Sequence, residues 1–252
     1  MLIMVSNDDG YNADGIKALT RSLKKLGRVV VVAPEWEQSG TGHSLTLYRP
    51  LRSKKISKDI YAVNGTPTDA IMVGMNCLLK RKPDILISGI NNGANMGDDV
   101  TYSGTVAAAI EGTILGIPSI AVSQIFDKPP IESNIRAYDK AARFAARVAK
   151  SVLKYGIPKG TLLNINVPDP VKADSRRHRV TRLGERVYHD VITEKIDPRG
   201  EPYFWIGGHY TVTGDDLDTD YSAIRDGYIS VTPLDIDMTN RSFINDISKW
   251  KI

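Results

Sequence analysis

The sequence predicts an α/β protein built on a doubly wound, mostly parallel sheet, and three observations carry that prediction. Short apolar runs rich in Val and Ile end in polar loops, stretches with apolar residues at helical spacing separate them, and the alternation persists to about residue 168. In such a sheet the ligand crevice lies beyond the carboxyl ends of the strands.

Leu2 to Val5 ends in Ser6-Asn7-Asp8-Asp9-Gly10, where polar and turn residues arrive too soon for a helix, so it reads as a strand and its loop. From Asp14, taken as an N-cap, apolar residues recur at Ile16, Leu19, Leu23 and Leu26, with Gly27 as the stop. Val29 to Ala33 is a β-branched run without alternation, as expected of a strand covered on both faces. Thr68 or Asp69 caps a helix running through Leu79, and Asp84 to Ser88 makes the next strand, ending at Gly89. A helix from near Ser103 to near Gly116 leads to a strand over Ile117 to Val122. Tyr138, Ala141, Ala145, Val148 and Val152 then mark one face of a helix spanning Asn134 to Tyr155, and Leu162 to Val167 closes the series.

After Pro168-Asp169-Pro170 the rhythm changes to short β-like runs at Val180 to Leu183, Tyr203 to Ile206 and Tyr228 to Val231. The expected organisation is an α/β catalytic core over 1–170 and a β-rich C-terminal extension over 171–252. The extension ends in a helix with Phe243, Ile244, Ile247 and Trp250 on its apolar face, capped by Thr239 or Asn240. A helix this short is marginal alone in water, so it is expected to dock on its own core or on another subunit.

The 252 residues carry a formal charge of +4, mild enough to favour anionic ligands weakly without indicating a stable nucleic-acid partner. No stretch approaches the roughly 18 apolar residues of a membrane span, and the opening MLIMVSNDDG shows no basic leader. The single cysteine, Cys77, forms no intrachain disulfide and reads as a buried helical thiol, so a cytoplasmic location is expected. Arg176, Arg177, Arg179, Arg182 and Arg186 cluster in sequence, and read as a solvated edge before a substrate-facing or subunit-facing one.

Three polar clusters fall just after strands: Asn7-Asp8-Asp9-Gly10, Ser39-Gly40-Thr41-Gly42-His43-Ser44 and Gly89-Ile90-Asn91-Asn92-Gly93-Ala94-Asn95. A doubly wound sheet brings such loops to one edge. Adjacent carboxylates are costly unless something positive stands between them, and Asp, Ser and Asn oxygens are hard donors that favour Mg²⁺, Mn²⁺ or Ca²⁺ over zinc. Taken singly, Asp8-Asp9 also reads as a turn with a helix cap, Ser39 as a loop hydroxyl and Asn91 as a turn residue; their joint occurrence at strand ends points to a metal. Ser103-Gly104-Thr105 opens an Ala-rich helix whose free N–H groups and dipole make an anion site, though ordinary capping explains it too. A phosphate there, facing a cation, suits hydrolysis by an activated water.

Competing chemistries fit less well. The first strand is followed by Asn-Asp-Asp-Gly rather than the G-x-G-x-x-G of a dinucleotide site, and no P-loop occurs. An aspartyl-phosphate mechanism expects carboxylates two apart after the strand, where this chain has Gly10. A nucleotide-binding regulatory module without turnover stays open as an alternative to an enzyme.

The quoted motifs resemble the SurE family of stationary-phase survival nucleotidases. Ser6 to Gly10, Val31-Val32-Ala33-Pro34, Ser39 with Ser44-Leu45-Thr46, Gly65-Thr66-Pro67, Ser88 to Asn91, Asn95 to Asp99 and Tyr102 to Ala107 carry the resemblance. Leu163 to Pro168, Asp197 to Gly200 and Gly227 to Ser230 extend it across nearly the whole chain. The resemblance implies a Rossmann-like core and one divalent metal ion per subunit held by Asp8, Asp9, Ser39 and Asn91. It implies Asn95 and the Ser103, Gly104 and Thr105 turn beside the substrate phosphate. It also implies hydrolysis of nucleoside 5′- or 3′-monophosphates, and homodimers or tetramers that exchange C-terminal elements. Asp8 and Asp9 would orient the attacking water, while His43 reads as part of the loop structure before a proton donor.

Overall fold

In the computed structural model, residues 1–128, 130, 132–169, 177–189, 192–207, 209–212 and 216–251 are described. The core begins β1 (Leu2–Ser6), α1 (Asp14–Leu23), β2 (Arg28–Pro34), β3 (Ser53–Ser57), β4 (Ile60–Val63), α2 (Pro67–Val73), β5 (Ile85–Asn92). It continues α3 (Gly104–Ile114), β6 (Ser119–Gln124), α4 (Asp139–Tyr155) and β7 (Thr161–Val167). There follow β8 (His178–Val180), β9 (Arg186–His189), β10 (Ile192–Ile196), β11 (Pro202–Ile206), β12 (His209–Val212), α5 (Asp220–Arg225), β13 (Ile229–Asp235) and α6 (Arg241–Ile247).

The main sheet runs β3-β4-β2-β1-β5-β6-β7-β13-β8. From β4 to β7 every neighbour is parallel, while β3 pairs antiparallel with β4 and β13 pairs antiparallel with β7. The chain winds outward from β1 to β2 and β4, then returns beside β1 with β5 and proceeds the other way. The strand order therefore reverses between β1 and β5, which is where ligand crevices open in sheets of this kind.

Strands covered on both faces need apolar residues at every position, and burial follows that rule. Ile3, Val5, Val29, Val31, Ala33, Ile85 and Ile87 pack with α1 and α4 on one face. Leu2, Met4, Val30, Val32 and Leu86 pack toward α2 and α3 on the other. Ile16, Leu19 and Leu23 of α1 and Ala141, Ala145 and Val152 of α4 are buried, as their spacing predicts. Helix α1 lies tight on the sheet: a Cβ on Gly15 would stand 1.9 Å from the Ile90 carbonyl oxygen, so only glycine fits there.

Several boundaries differ from the sequence reading. Asp14 is not the N-cap of α1; it sits in the first turn, where its carboxylate accepts from Ser133 Oγ at 2.9 Å and from the Asn134 N–H at 2.6 Å. Helix α2 is capped by Thr66, not by Thr68 or Asp69. Thr66 and Asp69 exchange side-chain bonds to each other's N–H in a capping box, with Pro67 in the first turn. The helix ends in a π turn over Gly74–Leu78, closed by the Leu79 N–H to the Gly74 carbonyl at 2.9 Å. That wide turn carries Leu78 toward the core and leaves Cys77 outside, so the thiol is exposed rather than buried. The β3–β4 hairpin, absent from the sequence reading, adds an exposed edge to the sheet.

The later segments divide between the core and an arm. Strands β13 and β8 complete the main sheet, whereas β10–β11 and β9–β12 are separate antiparallel pairs. Of the arginine cluster, Arg176 lies outside the described residues and Arg186 lies in β9. The guanidinium groups of Arg177 and Arg179 stand 4.1 and 3.9 Å from the centre of the Tyr228 ring, and Arg179 pairs with Asp226 at 2.8 Å. Arg182 pairs with Asp218 at 3.1 Å. These pairings suit a solvated edge. Helix α6 is capped by Asn240, which accepts from the Phe243 N–H at 3.2 Å, and none of its residues is buried. No helix among the described residues is long and apolar enough to cross a membrane.

Candidate active site

Asp8 and Asp9 follow β1 at the strand-order reversal. Gly10, at φ +95°, turns the chain, and Asn7 Nδ2 donates to the Gly10 carbonyl at 2.9 Å to close the turn. Asp8 is buried and takes a hydrogen bond from the Thr105 hydroxyl in the first turn of α3. The contact depends on Gly104: an added Cβ would lie 2.8 Å from Asp8 Cβ and 3.1 Å from Pro67 Cγ. Asp8 thus meets the N-terminus of an 11-residue helix, where unpaired N–H groups and the dipole favour negative charge. Ser103 caps that helix, its Oγ accepting from the Val106 N–H at 3.1 Å.

The Asn92 main chain at the end of β5 bears on Asp9, its N–H opposing the rise of that carboxyl, which brings the third polar loop against the first. Asn91 Nδ2 donates to the Gly93 carbonyl at 3.0 Å. The second loop is tied to the same edge by its main chain. The Gln38 N–H donates to the Asp8 carbonyl at 2.8 Å and the Gly42 N–H to the Tyr102 carbonyl at 3.0 Å. Its far end is held by Asp69, whose Oδ1 accepts from the Thr46 N–H at 3.0 Å. Ser39 itself is exposed and donates to Glu37 at 2.9 Å. His43 Nε2 lies 2.9 Å from the buried Glu111 carboxylate, two turns into α3, which gives it a place in the loop structure.

Asn95 is buried and its main chain is gripped by the sheet. Its N–H donates to Asn166 Oδ1 at 2.9 Å, its carbonyl accepts from Asn164 and Asn166 at 2.8 and 2.9 Å, and its Nδ2 donates to Ser123 at 2.8 Å. Sequence reasoning gives these supports no role, although asparagines on alternate positions of an otherwise apolar strand are a legible signal. Asp69 and Glu37 are likewise missed.

Charge at the site is unbalanced. Burial, then the Asp8 charge, push the Asp9 carboxyl from 3.8 up to about 7, against the Asn92 N–H, with Glu37 adding to the rise. Burial also raises Asp8, opposed by the Thr105 hydroxyl. Among the described residues neither carboxylate pairs with Lys, Arg or His. Nor, among the described residues, do three His, Cys, Asp or Glu side chains converge into a group that could hold a metal ion. Oxygen-only donors around uncompensated carboxylates fit a hard divalent cation. A cavity of about 280 Å³ opens beside Asp9, lined in part by Gly15, Asn92, Glu132, Ser133 and Tyr138. Larger cavities of about 610 and 800 Å³ open where neither Asp8 nor Asp9 forms part of the lining.

The family model described as "Survival protein SurE" matches residues 3–190, most of the chain. The chain belongs to the SurE family. A protein of Geotalea daltonii named "5'-nucleotidase SurE" is 48% identical over 253 residues, covering all of both chains. One of the same name from Moorella thermoacetica is 44% identical, covering 99% of this chain and 96% of its own. The crystal structure of the SurE protein from Aquifex aeolicus superposes with a TM-score of 0.83 at 42% identity, covering 98% of each chain. These likenesses agree with the mostly parallel sheet flanked by helices on both faces.

The raised Asp9 carboxyl has a consequence for the metal-free protein. Between pH 3.8 and about 7 the folded state holds more protons than the unfolded one, so stability falls as pH rises through that window and levels above it. Asp9→Asn is expected to flatten this fall and to raise Tm at pH 7.5 by several degrees, measured by thermal denaturation in chelator. A mutant with the same pH slope as the parent would refute the assignment.

Proposed function

We propose that this chain is a metal-dependent phosphatase that hydrolyses nucleoside 5′-monophosphates, and 3′-monophosphates, to nucleoside and phosphate. The observation that carries the reading is the Asp8-Asp9 pair, Asp8 buried against the first turn of α3 and Asp9 half-buried beside it, without a cationic partner among the described residues. Full-length relatives named 5'-nucleotidase SurE support the reaction class.

In this reading Asp8, Asp9, Ser39 and Asn91 hold one divalent ion per subunit, Mg²⁺ or Mn²⁺, with Ca²⁺ able to occupy the same oxygens. Such an ion neutralises phosphoryl charge and lowers the pKa of a water. The remaining work falls to the chain. The turn Ser103-Gly104-Thr105 that opens α3 would face the phosphate, with the Gly104 and Thr105 N–H groups as donors and the Ser103 N–H already taken by the Asp99 carbonyl, and Asn95 would add an amide from the opposite loop. Thr105 fixes Asp8, so that carboxylate is oriented before substrate arrives. Asp8 and Asp9 would orient the attacking water that the ion activates.

The same reading includes a cytoplasmic homodimer or tetramer, with the parts of 171–252 outside the main sheet serving assembly and α6 exchanged between copies. Supporting it, Phe243, Ile244 and Ile247 of α6 are exposed by 40% or more, as is Trp250, which lies just past the helix rather than on it, an apolar surface that another surface would cover. Tyr203, Phe204, Trp205 and Ile206 of β11 are exposed as well. An exposed free thiol at Cys77 suits a reducing compartment.

Phosphate release from a panel of 5′- and 3′-monophosphates with Mg²⁺ or Mn²⁺ tests the activity. Turnover abolished by chelator and reduced about 100-fold or more in Asp9→Asn is expected; tight binding without turnover would instead identify a regulatory module. For assembly, the double substitution Phe243→Ser and Ile247→Ser is expected to shift the protein toward monomer in light scattering, and an unchanged mass would exclude α6 from the interface.

A further inference from the structure

Asp220 is fully buried at the start of α5, and its carboxylate is committed to main-chain donors. Its Oδ2 accepts from the Gly97 N–H at 2.9 Å, while Oδ1 accepts from the Gly184 and Tyr221 N–H groups, each at 2.9 Å. The donors come from separate stretches of chain: the loop after β5, the segment between β8 and β9, and α5 itself. The Asp220 N–H donates to the Arg182 carbonyl at 3.0 Å, which anchors the carboxylate's own main chain. Tyr221 adds a second bond to the same loop, its hydroxyl donating to the Met96 carbonyl at 3.2 Å.

The loop and the extension meet without side chains between them. A Cβ on Gly97 would stand 2.5 Å from the Gly184 carbonyl oxygen and 2.9 Å from the Tyr221 ring. One on Gly184 would stand 2.6 Å from Tyr221 Cδ2 and 3.1 Å from Asp220 Oδ1. Asn95, two residues before Gly97, is held from the other side by Asn164, Asn166 and Ser123. The short run Asn95-Met96-Gly97 is therefore clamped twice, once by the core sheet and once by Asp220.

We infer that Asp220 is a positioning residue for phosphate recognition: through the Gly97 N–H it sets the path of the loop that presents Asn95, and with it the affinity for substrate. The inference rests on the proposed place of Asn95 beside the phosphate. A carboxylate suits this position because both of its oxygens accept, so one side chain satisfies three N–H groups. An amide of the same shape does not. In Asp220→Asn the single oxygen serves Gly184 and Tyr221, and an NH₂ group is turned against the Gly97 N–H, so the substitution detaches the loop selectively.

The test is steady-state hydrolysis of a nucleoside 5′-monophosphate with Mn²⁺ by the parent and by Asp220→Asn, Tyr221→Phe, Asn95→Ala and the double variant Asn95→Ala with Asp220→Asn. Asp220→Asn is expected to raise KM about tenfold, while kcat and the Mn²⁺ concentration for half-activation change less than about threefold. Tyr221→Phe raises KM by a smaller factor, and the double variant has a KM no higher than Asn95→Ala alone. A purely structural Asp220 would lower Tm and leave KM at the parent value in both Asp220→Asn and Tyr221→Phe, which overturns the inference, as would multiplying effects in the double variant. Should Asp220→Asn fail to fold, the KM of Tyr221→Phe decides. If Asn95→Ala leaves KM unchanged, the place of Asn95 beside the phosphate fails and the inference with it; if Asn95→Ala raises KM while Asp220→Asn and Tyr221→Phe do not, the inference alone fails.

Discussion

Asp8 sits at the carboxyl end of β1 with its side chain against the first turn of α3, held there by the Thr105 hydroxyl and admitted by the missing Cβ of Gly104. Burying a carboxylate is unfavourable, and burying a second beside it more so, which the raised carboxyls of both Asp8 and Asp9 record. The helix dipole and a hydroxyl offset part of that cost, and a divalent cation between the carboxylates would remove most of the rest. The surrounding chain keeps this arrangement in place.

The sheet does so by topology. The reversal of strand order between β1 and β5 leaves a crevice at their carboxyl ends, beside the loop carrying Asp8 and Asp9 and the end of β5 carrying Asn91. Close packing then narrows the geometry, with Gly15 letting α1 approach Ile90 and Gly104 letting α3 approach Asp8. Main-chain bonds to Tyr102 and Asp8 fix the Ser39 loop, and asparagines of β7 fix Asn95. The interior of β7 thus departs from the apolar pattern of its neighbours because it supports a loop as well as a core. Leaving any of those amides unpaired would cost about 1–3 kcal/mol, so the network favours a single loop conformation.

The parallel strands are legible in the sequence because burial on both faces demands unbroken apolar runs, and the site loops are legible because polar residues follow those runs abruptly. The β3–β4 hairpin is not, since Ser53–Ser57 is exposed at every position and carries no alternation to read. Thr66 escapes notice as the cap of α2 although Pro67 announces a first helical turn. The misplacement of Cys77 has another origin: a π turn alters the angular step per residue, and helical spacing assumes a constant one. Within the site, Asp8 and Asp9 declare themselves as neighbours, whereas Asp220 acts on residues 36 and 123 positions away and leaves no local pattern.

The Asp8-Asp9 pair, in the proposed reading, is a cation site whose carboxyls are held above their ordinary range until the cation binds. Calorimetric titration of the chelator-treated protein with Mn²⁺ near pH 6.5, repeated in two buffers of different ionisation enthalpy, measures stoichiometry and proton release together. The account predicts one saturable site per chain and release of a fraction of a proton, with both lost in Asp9→Asn. Saturable binding that is unchanged by Asp9→Asn, or binding with no proton release, would contradict it.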